Sequence, residues 1–439
     1  MVDVPTISDA QYAFDLVKAI CTEVGPGQPG SMQERQRAAW IQKVLELHLG
    51  AENVAVEEFT LAPGAFLGSL PVSALFLLAA ALLNLAIGRF PWLPPWLTAP
   101  AALVLSSLAL ASFFCEFIRY QEFLDPLFPQ TRSDNVIGKL RRPGAQNVTR
   151  LLIVSGHHDS AQENTWIGLL GYALFVTVPT ILIGLVGMLI MSLIQTAGLI
   201  TVSAPLLQMG TLGWGMLTFP VIPAVVFAML FNRGRKEGGT VPGAADNLSA
   251  CGVVVALARF LAKKPEYIPA DTEIRFVSFG SEEAGLRGSR RYVARHLEEL
   301  KRLDARLLNY ETIAHPEITI LTSDVNGVKH APEMVNSLVA AAHRAGVPFR
   351  VAPSPIGGGG NDAGPFSQAG LKASTLLPFK MPQQVVAFYH QKRDRPEILT
   401  LEPLLNVLKL SLEWIRCGGE AEEGSGTQPG NHLPVEPLP

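Results

Sequence analysis

Charge is what this 439-residue chain has least of. Asp, Glu, Lys and Arg together make up 17% of it, where a globular domain usually carries about 25%. Mean hydropathy is +0.27. The deficit is local: four stretches hold almost no ionisable residue, and the rest of the chain has ordinary composition. Cysteine is also scarce. Cys21, Cys115, Cys251 and Cys417 are scattered, so neither a Cys-x-x-Cys metal site nor a disulfide framework is indicated. No basic excess is present at a net charge of −3, which argues against a nucleic-acid partner. The chain has no His-Glu-x-x-His, which excludes a zincin, and no internal repeat. It lacks a basic segment followed by an apolar run near Met1, so no cleavable signal peptide is expected.

What is abundant is long apolar sequence. One block runs from about Phe66 to Ile87 and a second from Leu97 to Ile118. Each suffices to cross a hydrocarbon core of about 30 Å, which takes ~20 helical residues. Between them Pro91, Pro94 and Pro95 break the helix, and Trp92 and Trp96 suit a membrane interface. Residues 68–118 therefore read as a transmembrane hairpin. From Trp166 to Phe231 there is no Asp, Glu, Lys or Arg. Residues 166–232 read as a second hairpin, with crossings at about 166–194 and 211–231 and a neutral turn holding Pro205 and Gly210. A pair of buried soluble helices is the alternative, but such helices rarely stay uncharged beyond ~20 residues.

The remaining segments, 1–67, 119–165 and 236–417, have the pattern of one α/β domain. Residues 7–22 have helical spacing. Ser31 with Glu34 has the form of a capping box opening a helix to about Leu49, and Val54–Leu61 alternates like a strand. Short apolar strands are expected at Asn135–Leu140, Arg150–Ser155, Ile274–Phe279, Leu307–Ile313 and Lys372–Leu377, separated by helices such as 248–263 and 290–303. This predicts a mostly parallel sheet with helices on both faces. After Gly418 the composition of residues 418–439 predicts a disordered tail.

The residues suited to chemistry fall where predicted strands end. Ser155-Gly156-His157-His158-Asp159 pairs a potential ligand with a carboxylate that can orient it. Alone, a His-x-Asp is more often a surface loop, and His158 has no assigned role. Asp246, in Gly243-Ala244-Ala245-Asp246-Asn247, precedes an apolar helix and is either a helix cap or a bridging carboxylate. Glu282 and Glu283 follow another strand, Glu311 ends a third, and His390 lies in Tyr389-His390-Gln391.

In this order the segments resemble the M28 metallopeptidase family, including Glu282-Glu283-Ala284-Gly285-Leu286-Arg287-Gly288-Ser289 and, more loosely, Gly360-Asn361-Asp362-Ala363-Gly364-Pro365-Phe366. The resemblance implies a zinc-exopeptidase fold and two zinc ions. His157, Asp246 and Glu311 would hold one; Asp246, Glu283 and His390 would hold the other, with Asp246 as the bridge. Glu282 would be the general base and Asp159 would orient His157. Such mixed His and carboxylate sets suit zinc. The chain departs from the family at Glu311, often Asp, and around Asp362, where Asn-Asp-Ala replaces Ser-Asp-His. It departs most in the hairpin between Asp159 and Asp246, where the family has a short loop.

A membrane-bound aminopeptidase acting on peptides is the expected function. A glutaminyl cyclase with one zinc is the alternative enzyme, argued against by His157 and Glu311. A receptor or scaffold subunit would be expected to lack some of these residues. A transporter is disfavoured because the spans hold only Glu116, near a span end. Arg119, Arg233, Arg235 and Lys236 against Arg89 predict a cytoplasmic catalytic side. The connection from Ser160 to Trp166 reaches at most about 20 Å, so the cleft should lie near the membrane surface, facing either the bilayer or open solvent.

Overall fold

A computed structural model of the chain describes residues 3–208, 210–231, 239–325, 327–355 and 359–421. Arg233, Arg235 and Lys236 lie outside these, as does the predicted tail from residue 422 on. The chain remains packed beyond Gly418: the Gly418 carbonyl accepts from Arg150 and the Glu420 carboxylate pairs with Arg306.

Eight strands form one sheet in the order β1-β2-β4-β3-β5-β8-β6-β7. They are β1 (Val54–Leu61), β2 (Thr131–Arg141), β3 (Arg150–His157), β4 (Thr272–Phe279), β5 (Arg306–Tyr310), β6 (Ile318–Leu321), β7 (Phe349–Ala352) and β8 (Lys372–Leu377). The centre, β4-β3-β5-β8, is parallel. Antiparallel pairings join β1 to β2, β2 to β4 and β6 to β8. Strands β6 and β7 were not expected from sequence. Each has only four residues, too few for alternation to register.

Both faces of the central strands are buried, and alternate residues serve opposite cores. Leu152 and Val154 pack with α1 (Ile7–Glu23) and α2 (Met32–Leu49), whereas Leu151 and Ile153 pack on the other side. Among the described residues, five helices are long and apolar enough to cross a membrane by length and composition. Four lie in the runs predicted to span. They comprise α3 (Ala65–Ala86), α4 (Pro95–Ser112) with its π-helical continuation Phe113–Ile118, α5 (Thr165–Leu170) with α6 (Leu174–Ile200), and α7 (Ala204–Leu207) with α8 (Gly210–Met216) and α9 (Ile222–Phe231). The third run reaches Ile200, beyond the expected 194, and Pro205 opens α7 instead of lying in a bare turn.

The fifth is the segment Ala244–Lys263, which is 89% buried against 22–50% for the other four. It contains α10 (Ser249–Lys263), whose residues join the core on the α1 face of the sheet. The remaining helices are α11 (Arg287–Arg302), α12 (Pro332–Ala345), α13 (Ala363–Gln368), α14 (Gln383–Ala387) and α15 (Leu401–Arg416). Helices α11 and α13 cover the face opposite α12 and α15.

Small and polar side chains join the apolar helices, a mode of packing that membrane-spanning helices use. Asn84 of α3 donates to Ser192 of α6 at 2.9 Å, and Gln195 donates to the carbonyls of Asn84 and Leu207, each at 3.0 Å. Gly184 of α6 meets the π-helical turn around Pro220, where an added Cβ would lie 2.6 Å from the proline Cβ. Overpacking typically costs about 1–3 kcal/mol. Gly184→Leu should therefore lower the thermal midpoint in detergent by several degrees, while Gly168→Leu, with nothing within 4 Å of its Cβ position, should leave it unchanged. Scanning fluorimetry on the two variants checks this.

Candidate metal centre

The parallel strands deliver their C-terminal ends to one edge of the sheet, where open α/β sheets commonly place their sites. His157 is the last residue of β3 and Glu311 follows the last residue of β5. Glu282 and Glu283 follow β4 across Gly280 and Ser281. Asp246 comes from the irregular turn before α10, with φ −113° and ψ 89°, and its peptide bond to Asn247 is cis. His390 follows α14 in a loop. All seven residues singled out from sequence meet here, although His390 lies more than 230 positions from His157.

Asp246 is central. Its Oδ1 lies 3.4 Å from His157 Nε2 and its Oδ2 lies 3.0 Å from His390 Nε2. Each histidine also has a glutamate: Glu311 Oε1 is 3.7 Å from His157 Nε2, and Glu283 Oε1 is 3.4 Å from His390 Nε2. Two atoms bound to one zinc at 2.0–2.2 Å in tetrahedral geometry are separated by about 3.4 Å. The spacing thus fits ligands around a common ion better than hydrogen-bonded pairs. Among the described residues, His157 Nε2 and Asp246 Oδ2 have no hydrogen-bond partner. Orphan atoms of this kind, buried, are what a cation satisfies. His157, Asp246 and Glu311 form one group able to hold a metal; Asp246, Glu283 and His390 form another. Glu282 Oε2, 3.7 Å from His157 Nε2, is close enough to complete a third group with His157 and Glu283.

The electrostatics agree with this reading. Burial raises the Glu311 carboxyl to about 8, against the attraction of His157. Burial also pushes Glu282 far above the carboxylate range, with His157 opposing and Glu283, Asp362 and Glu311 adding to the rise. His390 moves the other way: burial opposes its charge, but Glu283 and Asp246 raise it to about 10. Burial opposes the charge of Asp246 too, yet the imidazoles of His157 and His390 hold its pKa below the usual range. The site has more carboxylates than its own cations can balance.

Its loops are pinned by buried polar groups. Asp159 lies 3.3 Å from His157 Nδ1, and the same carboxylate accepts from the backbone N–H of Glu282 at 3.0 Å and of Glu283 at 2.9 Å. Sequence reasoning expected the first contact only. Asp394 accepts from the N–H groups of Ala245 and Asp246 at 2.6 and 3.1 Å. Glu34 departs from a capping box. Ser31 does accept from the Glu34 N–H at 3.1 Å, but the Glu34 side chain runs to Ser281, accepting from its N–H and hydroxyl, both at 2.7 Å. Arg37 donates to the carbonyls of Gly25, His158 and Pro242 and to the Ser160 hydroxyl, tying both roots of the second hairpin. The roles of Glu34, Arg37 and Asp394 were not found from sequence. Ser-x-x-Glu carried a signal, but for a local contact. His158 is fully buried beside Ser278, 2.9 Å from its hydroxyl, and belongs to the core.

Among described non-glycine residues, seven have positive φ. Ser281, Leu286, Thr312 and His390 flank or form the site, and Tyr120 leaves the first hairpin beside it. Such backbone costs roughly 1–3 kcal/mol each and persists where surroundings over-determine it. Here Glu34 holds Ser281, Asn247 Oδ1 accepts from Thr312 N–H at 3.1 Å, and Asn164 N–H donates to the His390 carbonyl at 2.8 Å.

Comparison with known proteins agrees with this geometry. Residues 232–415 match the family model of Peptidase family M28. Aminopeptidase YwaD of Bacillus subtilis (strain 168) is 32% identical over 174 residues, which is 37% of this chain and 35% of the relative, so the match spans about a third of that protein. Among solved structures, the zinc aminopeptidase BSAP of Bacillus subtilis aligns over 97% of this chain and 98% of its own, with a TM-score of 0.53 at 16% identity. A glutaminyl cyclase of Fimbriiglobus ruber aligns over 95% and 97%, with a TM-score of 0.52 at 14% identity. Residues 232–415 thus match the model of Peptidase family M28, and nearly the whole chain shares the fold of the solved zinc aminopeptidase.

Proposed function

We propose that the chain is a membrane-embedded metallopeptidase with two zinc ions, and that it is an aminopeptidase. The observation that supports this best is the Asp246 carboxylate lying between His157 and His390, with a glutamate beside each histidine. Zinc ions held there would supply Lewis-acid polarisation of the attacking water and of the scissile carbonyl. Glu282 stands beside this cluster, placed to take a proton from the attacking water and return it to the leaving amine. Asp159 holds His157 from behind and fixes the turn carrying Glu282 and Glu283.

A glutaminyl cyclase is the second reading, favoured by the likeness to the Fimbriiglobus ruber enzyme. His157 and Glu311 argue for the first, because they furnish a complete second half around Asp246.

Two apolar hairpins would embed the chain in the bilayer, with residues 1–67, 119–165 and 236–417 as one discontinuous catalytic domain. The catalytic side is proposed to face the cytoplasm. Helix α5 begins one residue after Asn164, whose N–H holds the His390 carbonyl, so on this reading the site would lie close to the membrane surface. Phe123 and Leu127, just past the first hairpin, expose apolar side chains on the way to β2. Peptides near or emerging from the bilayer are the proposed substrates.

Glu282→Gln should reduce turnover by ~10²–10⁴-fold while zinc content stays near that of the wild type, read by elemental analysis of the purified protein. Asp246→Ala should empty both halves. Wild-type turnover in Glu282→Gln would sink the mechanism. With peptides blocked at one end, N-acetylation should abolish release and C-terminal amidation should not. The opposite result would indicate a carboxypeptidase, and ammonia release from glutaminyl peptides without hydrolysis would favour the cyclase.

The topology has its own test. A reporter fused after Pro439 should be active only when the fusion end lies in the cytoplasm. Activity confined to the far side would invert the orientation.

A further inference from the structure

The first hairpin reaches the catalytic turn through a buried cluster of charges. Arg287, the first residue of α11, is fully buried. Its Nη2 donates to Glu116 Oε1 at 2.6 Å and to Asp125 Oδ1 at 2.8 Å, and its Nη1 donates to the Tyr120 carbonyl at 3.3 Å. Glu116 lies in the π-helical last turn of the second span and is also fully buried. Its other oxygen accepts from the N–H groups of Phe123 and Leu124, each at 2.9 Å.

Arg287 also closes the turn that carries Glu282 and Glu283. Its backbone N–H donates to the Ser281 carbonyl at 3.2 Å, and the N–H groups of Gly285 and Leu286 return to the Glu282 carbonyl at 2.8 and 2.7 Å. Residue 286 is left-handed, with φ 61°. Within the α/β fold, Glu34 holds Ser281, Asp159 holds the two glutamate amides, and Asn135 clamps the ends of the turn at Gly280 and Gly288. A further anchor, at Arg287, comes from the hairpin.

The hairpin root also touches the opposite loop. The Tyr120 hydroxyl accepts from the Gly360 N–H, two residues before Asp362. The Tyr120 ring stacks on Phe66 at 5.3 Å, and Phe66 stacks on Phe117 at 5.1 Å. Phe66 lies against Gly285, where an added Cβ would come 3.2 Å from its ring. A buried ion cluster is a poor source of stability compared with apolar packing, but it fixes geometry sharply because each charged group accepts few arrangements.

On the peptidase reading above, we propose that Arg287, held by Glu116, Asp125 and the Tyr120 carbonyl, is a positioning residue for the Glu282–Glu283 turn. The root of the first hairpin is then part of the catalytic apparatus as well as an anchor. Tyr120 extends the same role to the 359–362 loop on the other side of the cleft.

The test uses the full-length protein in lipid nanodiscs, with kcat, KM and zinc content measured for Arg287→Met, Arg287→Lys, Glu116→Gln, the double variant Glu116→Gln with Arg287→Met, and Tyr120→Phe. Arg287→Met and Glu116→Gln should each lower kcat about tenfold or more per zinc-loaded protein, with KM within about twofold. Arg287→Lys should recover part of the loss. The double variant should be no slower than the worse single one, as expected of groups that act as a unit. Tyr120→Phe, which deletes one hydroxyl and leaves the ring stack, should raise KM several-fold with kcat little changed.

If the ion-cluster variants fold poorly, Tyr120→Phe still decides the matter, and wild-type kinetics in it would overturn the proposal. So would an activity loss in the Arg287 and Glu116 variants that vanishes when rates are normalised to folded, zinc-loaded protein. In either case an active wild type and an inactive Glu282→Gln leave the peptidase reading standing. A wild type that hydrolyses no peptide overturns both.

Discussion

Carboxylates gathered in a largely buried site repel one another, and each has lost much of the hydration that made its charge tolerable. Asp159, Asp246, Glu282, Glu283 and Glu311 meet at one end of the sheet, with His157 and His390 as the nearest groups able to carry positive charge. That concentration of negative charge dictates much of what surrounds it. Asp394, Glu34 and Asp159 turn their oxygens toward backbone N–H groups, so that peptide dipoles answer the charges that no ion would reach. Arg37 and Arg287 stand further back, one under each hairpin root, and neither donates to the five carboxylates gathered at the centre. The arrangement keeps protein cations out of the centre; on the metallopeptidase reading, bound metal ions would supply the balance.

The alternation of functions along the sheet follows from strand direction. The parallel strands β3, β4, β5 and β8 run toward the site, and β3, β4 and β5 each contribute acidic or imidazole side chains at or just beyond the last residue. Strands β2, β6 and β7, which run the opposite way, extend the sheet without adding candidate ligands. Backbone in unusual conformations gathers on the same edge, at Ser281, Leu286, Thr312 and His390. A ligand must point inward from a loop that has just left its strand, and a left-handed residue turns the chain within one step.

Much of this was legible in the sequence because the relevant signals are local. His157 and Asp159 lie two residues apart, Glu282 and Glu283 are neighbours, and the central strands are short apolar runs. The apolar helices were legible for the same reason: composition alone separates Phe66–Ile87 from its surroundings. Long-range pairings were not. Glu116 was visible as the one charge within a span, but its partner Arg287 lies 171 positions away, and nothing in either neighbourhood indicates the other. Glu34 carried a correct local pattern and a second destination: one oxygen accepts from the Gly30 N–H just before its own helix, and the other reaches Ser281, 247 positions away. Strand β7 escaped notice because an edge strand needs neither length nor continuous apolarity, and β6 because four residues are too few for a pattern to register.

The order of strands in the sheet bears on how such a chain is made. Strand β1 pairs with β2, and the first hairpin lies between them; β3 pairs with β4, and the second hairpin lies between those. Two of the pairings that build the sheet are therefore interrupted in the chain by a segment proposed to enter the bilayer. Long-range strand pairing is slow and waits on closure of the intervening loop. On the membrane-embedded reading, a ribosome that has released β1 or β3 must deliver a hairpin to the membrane before the partner strand exists. His157 then waits for Asp246 across the whole of that insertion. A chain that misses the membrane would hold its hydrolytic residues apart, so integration itself would act as the activating event, and misdirected copies would remain inert.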